Sequence, residues 1–166
     1  IASRCASFIK KNDYKLSESI NTDLVDELIS SKGLIEEHFE ARNYSKAVRL
    51  IMDLADRVNK YINDETPWKK DQTDAASIAS TALNAFNILT IYLRPVLPNL
   101  TDEAFKFLNN DKISFSDVST QITNDINDYK PLLQRIDPII IPEEENMTED
   151  NNYINIDEFS AVELRV

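Results

Sequence analysis

Trp68, the only tryptophan of the chain, is the residue best placed to bind a flat ligand. It follows Pro67 directly, and the residue before a proline is disfavoured in the α conformation, so the preceding helix must end by Thr66. Trp68 therefore lies at a corner between two helices, where its large flat side chain can face solvent or a ligand. The alternative is a structural tryptophan that covers the core at this corner.

Side chains for catalysis or metal binding are scarce. With a single glycine, the chain cannot form a glycine-rich loop that binds phosphate. One cysteine, Cys5, excludes an internal disulfide, and one histidine, His38, leaves too few soft ligands for an ordinary zinc site. Adjacent carboxylates such as Glu36 and Glu37 are typical of a solvated helix face. We therefore expect no catalytic residue, no metal site and no cofactor in this chain.

The composition indicates a helical, soluble domain. The 166 residues contain one glycine and six prolines, which is too little glycine for the turns of an all-β protein. No apolar run approaches the roughly 20 residues needed to cross a bilayer, so we expect no membrane association. A lone cysteine fits a reducing, cytoplasmic location. Both ends of the chain look cut, and we interpret it as a piece of a longer protein.

The net charge of −11 argues against a nucleic-acid partner, since attraction to phosphate normally requires a basic surface. The charge is, however, unevenly distributed. Residues 1–70 carry 12 basic and 12 acidic side chains, whereas residues 71–166 carry 6 and 17. The neutral half therefore leaves room for a local basic patch that binds bases by stacking and hydrogen bonding.

Helical periodicity predicts an all-α antiparallel bundle of about five helices. We place them near residues 1–11, 23–40, 44–63, 73–93 and 101–109, the last one capped by Thr101. The third helix carries an apolar stripe that begins at Tyr44. The predicted core comprises Phe8, Leu28, Phe39, Val48, Ile51, Leu54, Phe86 and Leu93. Residues 111–134 are polar and weakly periodic, so we expect them to cross the bundle with little regular structure. Residues 138–153 are predicted to form an acidic linker.

Three segments resemble bacterial methionyl-tRNA synthetases, in the order that the family has them. Residues 39–70, FEARNYSKAVRLIMDLADRVNKYINDETPWKK, resemble the family's helix that ends in an acidic turn and Pro-Trp. Residues 91–108, IYLRPVLPNLTDEAFKFL, resemble a closely similar passage of these enzymes. Residues 154–166, INIDEFSAVELRV, resemble the opening of their appended tRNA-binding domain. The resemblance implies a helical anticodon-binding domain at residues 1–137, the linker, and a truncated OB-fold from residue 154.

The resemblance also assigns roles to individual residues. Trp68 corresponds to the tryptophan that stacks on an anticodon base, an interaction worth about 1–3 kcal/mol per base but tolerant of any base. Arg4 corresponds to an arginine that contacts the anticodon with its planar fork of donors. Cys5 stands where many relatives have an asparagine. Contacts to the tRNA backbone are expected from Arg42, Lys46, Arg49, Lys69 and Lys70.

The function that the resemblance implies is binding of the CAU anticodon of methionine tRNA, as part of a methionine–tRNA ligase. The parent would use ATP and Mg²⁺ in a separate catalytic domain of the same chain, and relatives dimerise through the appended domain. Two alternatives stay open. Related ligases for valine, leucine, isoleucine and cysteine share the bundle, although the segment at 154–166 favours methionine. A helical protein-interaction domain, with the acidic tail as its docking segment, is the alternative outside the ligases.

Overall fold

The structure is a computed structural model that describes residues 1–12, 15–128 and 132. Within these residues it contains six α-helices and no strand: α1 (Ala2–Lys11), α2 (Thr22–Ser30), α3 (Lys32–Glu40), α4 (Tyr44–Glu65), α5 (Gln72–Leu93) and α6 (Pro98–Leu108). Two one-turn 3₁₀ helices, Pro67–Lys69 and Phe115–Asp117, complete it. The all-α prediction is confirmed. The predicted linker at 138–153 and the predicted OB-fold segment at 154–166 lie outside the described residues.

α5 is the central helix of the bundle. It packs against α1, α2, α4, α6 and the Pro67–Lys69 turn. Its small residues Ala75, Ala79, Ala82 and Ala85 are buried, and they allow the neighbouring helices to approach closely. The helix is long and apolar enough to pass a length-and-composition test for a membrane span, but 78% of its most apolar window is buried. That burial is the mark of the core helix of a folded domain.

Buried polar groups join α5 to its surroundings. The Tyr92 hydroxyl donates to the Leu28 carbonyl at 2.8 Å, which ties α5 to α2. The Ile122 backbone N–H donates to Asn84 Oδ1 at 2.7 Å, which ties the segment after α6 to α5. That segment packs on the core through Val118, Ile122 and Ile126. As predicted for residues 111–134, the described residues 111–128 have little regular structure, with the Phe115–Asp117 turn alone.

The predicted apolar stripe of α4 is wrong at its start. The buried residues of α4 are Ala47, Ile51, Leu54, Val58 and Ile62. Tyr44 is 55% exposed and Val48 is only half-buried, because Ala47 takes the core-facing position in that turn. The Tyr44 ring instead lies 6.3 Å from that of Phe39 at the edge of the bundle. Of the other predicted core residues, Leu28, Ile51 and Leu54 are buried; Phe8, Phe39, Phe86 and Leu93 are half-buried against the core.

The predicted single helix over 23–40 is two helices that meet at Ser31. The hydroxyls of Ser30 and Ser31 both donate to the Glu27 carbonyl, at 2.8 and 3.0 Å. The Ser31 N–H bonds the Leu28 carbonyl three residues back, a tighter turn than an α-helix makes. Serine side chains compete with the backbone in this way and so favour helix ends. Two successive serines therefore end α2 here.

The predicted cap at Thr101 is also wrong, because α6 begins at Pro98. Proline is favoured in the first turn of a helix, where its missing N–H costs nothing. Thr101 lies one turn inside, and its hydroxyl donates back to the Pro98 carbonyl at 2.9 Å. α6 ends at Leu108, followed by Asn109 in the left-handed conformation, so the predicted end near Asn109 agrees with the structure.

Candidate nucleic-acid interface

The corner between α4 and α5 holds Trp68 on a short, well-defined turn. α4 ends with Thr66 in the left-handed conformation, at φ 46° and ψ 62°. The N–H of Lys69 then donates to the Thr66 carbonyl at 2.9 Å, and that of Lys70 to the Pro67 carbonyl at 3.2 Å. Pro67 is buried and anchors the turn against the bundle. The backbone therefore fixes the position from which the indole projects.

Trp68 is half in solvent and lies next to Arg4. The indole is 50% exposed, so it does not serve as a buried cover of the core. The Arg4 guanidinium carbon, which comes from α1, lies 5.9 Å from the centre of the Trp68 ring system. A cation at this distance from an indole is within the range of a cation–π contact. The fold thus brings together two residues that are 64 positions apart in the sequence.

A third residue, Asn63, joins the pair, and the sequence pattern did not single it out. Arg4 Nη1 donates to Asn63 Oδ1 at 3.0 Å, from α1 to the last turn of α4. Within the described residues, no carboxylate lies within ion-pair distance of Arg4. Asn63 is an ordinary exposed residue of an amphipathic helix, and only the three-dimensional structure reveals its partner on α1. No local signal would have found it.

An apolar hollow of about 260 Å³ lies beneath these side chains. Its walls are Arg4, Cys5, Ser7, Phe8, Ile62, Pro67, Trp68 and Ala79. Cys5 is 3% exposed, and this burial raises the pKa of its thiol to about 11, so the thiol is neutral at physiological pH. The Arg4 guanidinium is the one charged group among the lining residues. The hollow below the rim formed by Arg4 and Trp68 is therefore uncharged and largely apolar.

The other predicted contacts divide into two groups. Lys69 and Lys70 are exposed beside Trp68, and Lys70 Nζ lies 3.9 Å from a Glu65 carboxylate oxygen. Arg42, Lys46 and Arg49 are exposed at the opposite end of α4. At 1.5 Å per helical residue, even Arg49 is about 24 Å from Glu65, the residue that ends α4 beside the turn. The structure does not bring this second group to the Trp68 site, and one bound base cannot touch both.

The described residues contain no cluster of three or more histidine, cysteine, aspartate or glutamate side chains suited to hold a metal ion. The candidate interface combines a flat aromatic face, a guanidinium over the ring, two lysines beside it and an apolar hollow below. Such an arrangement suits a flat, partly apolar ligand with hydrogen-bond acceptors on its edge.

The sequence is similar to a known protein family and to curated relatives. Residues 23–149 match the family described as the anticodon-binding domain of tRNA ligase. A methionine–tRNA ligase of Thiobacillus denitrificans (strain ATCC 25259 / T1) is 45% identical over 146 residues, 83% of this chain and 21% of that protein. The chain therefore spans about a fifth of the length of this relative. The family match includes Asn63 and Trp68 but begins after Arg4.

Solved structures of the Mycobacterium tuberculosis methionyl-tRNA synthetase share the fold. The ligand-free form has a TM-score of 0.73 at 19% identity, over 82% of this chain and 31% of that one. The complex with methionyl-adenylate has a TM-score of 0.70 at 19% identity, over 81% and 30% of the two chains. At this identity the likeness concerns the helical architecture.

Proposed function

The chain belongs to the family of anticodon-binding domains of tRNA ligases, and from this membership we propose that it binds the CAU anticodon of methionine tRNA. The support for methionine is the 45% identical relative, which is a methionine–tRNA ligase. No described residue supplies catalytic chemistry in this proposal. The chain contributes recognition to a larger ligase.

The observation that carries the proposal is the exposed Trp68 with Arg4 over its ring. Proteins read RNA sequence mainly in single-stranded loops, where splayed bases stack on aromatic side chains and present their hydrogen-bonding edges. In the proposed complex one anticodon base stacks on the free face of Trp68. Arg4 then donates to acceptors on the edge of that base, and Lys69 and Lys70 attract the adjoining phosphates. Stacking supplies affinity, and the guanidinium supplies selectivity.

The remaining contacts and partners belong to the same proposal. Arg42, Lys46 and Arg49 lie too far from Trp68 for the base site, so they would meet a more distant part of the tRNA backbone. The parent ligase would attach methionine to the tRNA in the cytoplasm, in a catalytic domain that uses ATP and Mg²⁺. Dimerisation through an appended domain would involve residues beyond those that the structure describes.

The test is a titration of the full chain against a labelled RNA stem-loop with CAU in its loop, followed by fluorescence anisotropy. Trp68→Ala should lower the affinity by about 1–3 kcal/mol, the usual worth of one stacked base. Tyr44→Ala is the matched control, because Tyr44 is 55% exposed at the other end of α4. It should bind as the parent chain does.

Two outcomes would contradict the proposal. Unchanged binding by Trp68→Ala would remove Trp68 from the interface. If Trp68→Ala instead lowers the free energy of unfolding by about 3–5 kcal/mol, the usual loss for a buried aromatic, Trp68 is a structural residue. Stem-loops with valine, leucine, isoleucine or cysteine anticodons complete the series. Tighter binding to one of these would assign the chain to that related ligase.

A further inference from the structure

Arg4 is held from two sides, and the two holding residues lie close together in the chain. The guanidinium lies 5.9 Å from the centre of the Trp68 ring system, and its Nη1 donates to Asn63 Oδ1 at 3.0 Å. Asn63 lies in the last turn of α4, and Trp68 lies in the turn that follows. A contact with a ring face leaves a guanidinium free to rotate above it. A hydrogen bond from one edge removes that freedom, since it has a direction.

The acceptor is a neutral amide, which matters for what Arg4 can still do. A guanidinium has five N–H donors, and the bond to Asn63 occupies one of them. A carboxylate in this place would take two donors in a bidentate pair and offset the positive charge. The nearby Glu65 is directed to Lys70 instead, at 3.9 Å. Arg4 is therefore oriented without being neutralised, with most of its donors available.

We infer that Asn63 is a positioning residue, which holds the Arg4 guanidinium as a preformed donor for the edge of a base stacked on Trp68. The inference rests on the proposed function. Arginine carries many rotamers, and fixing one before binding reduces the entropy lost in the complex. Asn63 thus acts on RNA only through Arg4, and its effect is greatest for bases whose edge presents acceptors to the guanidinium.

The first experiment measures binding of the full chain to the CAU stem-loop and to loops with one anticodon base replaced. Asn63→Ala should weaken CAU binding about three- to tenfold, the range of one ordinary hydrogen bond. It should also reduce the discrimination against replaced bases. Asn63→Asp should weaken binding further, because its carboxylate neutralises Arg4. Asn59→Ala, an exposed asparagine one turn earlier on α4, should change neither quantity.

A double-variant cycle separates positioning from direct contact. If Asn63 acts through Arg4, Asn63→Ala should have no effect in an Arg4→Ala background. The emission of Trp68, the only tryptophan, reports the same link without RNA. Asn63→Ala should shift the emission toward that of Arg4→Ala, while Asn59→Ala leaves it unchanged. Additive losses in the cycle, or an emission unchanged by Asn63→Ala, would overturn the inference.

The proposed function and the inference fail in different ways. If Trp68→Ala and Arg4→Ala bind CAU as the parent chain does, the anticodon site itself is wrong. If both lose binding while Asn63→Ala binds and discriminates normally, the site stands and the positioning role falls.

Discussion

Cys5 lines the hollow beside Arg4, and it is a buried ionisable group. It is 3% exposed. Burial raises the pKa of its thiol from 9.0 to about 11, against the smaller opposite influence of the N-terminal amino group and Arg4. The folded chain therefore holds this proton more tightly than the unfolded chain does.

This shift predicts a specific dependence of stability on pH. The Cys5 contribution is fully present below pH 9, where both states keep the proton, and it declines between about pH 9 and 11 as the unfolded thiol ionises first. The loss should approach about 3 kcal/mol of unfolding free energy. Tyr61 and Tyr92, whose pKa values burial also raises, add to the decline at high pH.

Urea denaturation at several pH values, on the parent chain and on Cys5→Ala, measures the Cys5 part alone. The difference in unfolding free energy between the two proteins should shrink as the pH rises from 9 to 11. A constant difference over this range would mean that Cys5 does not titrate as its burial requires.

The site residues differ in how far the sequence could identify them. Trp68 is predictable because Pro67 ends the helix before it and the corner leaves an aromatic near the surface. Arg4 depended on the resemblance, since an arginine in an amphipathic helix is ordinary. Asn63 was not predictable, because its hydrogen bond depends on how α1, which packs on α5, meets the end of α4, and no periodicity in either helix encodes that approach.

At the scale of elements, Thr66 sets the direction in which the chain leaves α4. It is a β-branched residue in the left-handed region, where such residues are rare, and it precedes a proline, which also disfavours helical backbone angles. Its side chain forms no hydrogen bond among the described residues, so the conformation is imposed by the turn. Strain of this kind costs about 1–3 kcal/mol.

Thr66→Gly should therefore stabilise the protein by about 1 kcal/mol, after allowance for the greater freedom of glycine in the unfolded chain. Thr66→Val is the matched control, since valine has the same shape and keeps the strain, and its stability should equal that of the parent. Thermal denaturation of the three proteins gives the comparison. Equal midpoints for the glycine and valine variants would show that no strain is released.

A buried asparagine of α5 bonds the backbone of the segment after α6. Asn84 accepts from the Ile122 N–H at 2.7 Å and donates to the Ser80 carbonyl at 2.9 Å. Asn84→Ala leaves a buried N–H unpaired, which should cost about 1–3 kcal/mol. Hydrogen exchange at the Ile122 amide should accelerate more than exchange at amides within α5. Asn124→Ala, at an exposed position of the same segment, should leave both rates unchanged.

The helices were predicted best where an apolar period runs without interruption, as in α4 and α5. The errors come from side-chain chemistry at helix ends. Two serines end α2 where the apolar pattern alone continues to Glu40, and Pro98 starts α6 a full turn before Thr101. Helical spacing counted from Tyr44 places Val48 in the core, whereas Ala47 is the buried residue of that turn.

For the whole molecule, the charge distribution predicts a weak dependence of binding on salt. The net charge is −11, and the cations near Trp68 are Arg4, Lys69 and Lys70. Arg4 is assigned to a base edge, so two phosphate contacts, from Lys69 and Lys70, remain, and on a single strand they give a slope of about −1.4 in log K against log salt. Lys69→Gln with Lys70→Gln should reduce the steepness of this slope by about 1.4.

Arg42→Gln with Arg49→Gln provides the contrast, because these residues lie at the far end of α4. The double variant should leave the slope for the isolated stem-loop unchanged and reduce it only for intact tRNA, which reaches further along the helix. If the double variant has a shallower salt slope for the stem-loop, the RNA lies along α4 rather than at its end.

The central position of α5 sets the order in which the molecule can form during synthesis. α1, which carries Arg4, finds its main packing partner in α5, whose first residue is Gln72. About 60 residues must be added between the two helices, which takes about 3–12 seconds at the usual rates of translation. Until α5 has formed, α1 lacks its main packing partner, and Arg4 is not held beside Trp68. The nascent chain thus acquires its ability to bind RNA late and in one step, when α5 docks.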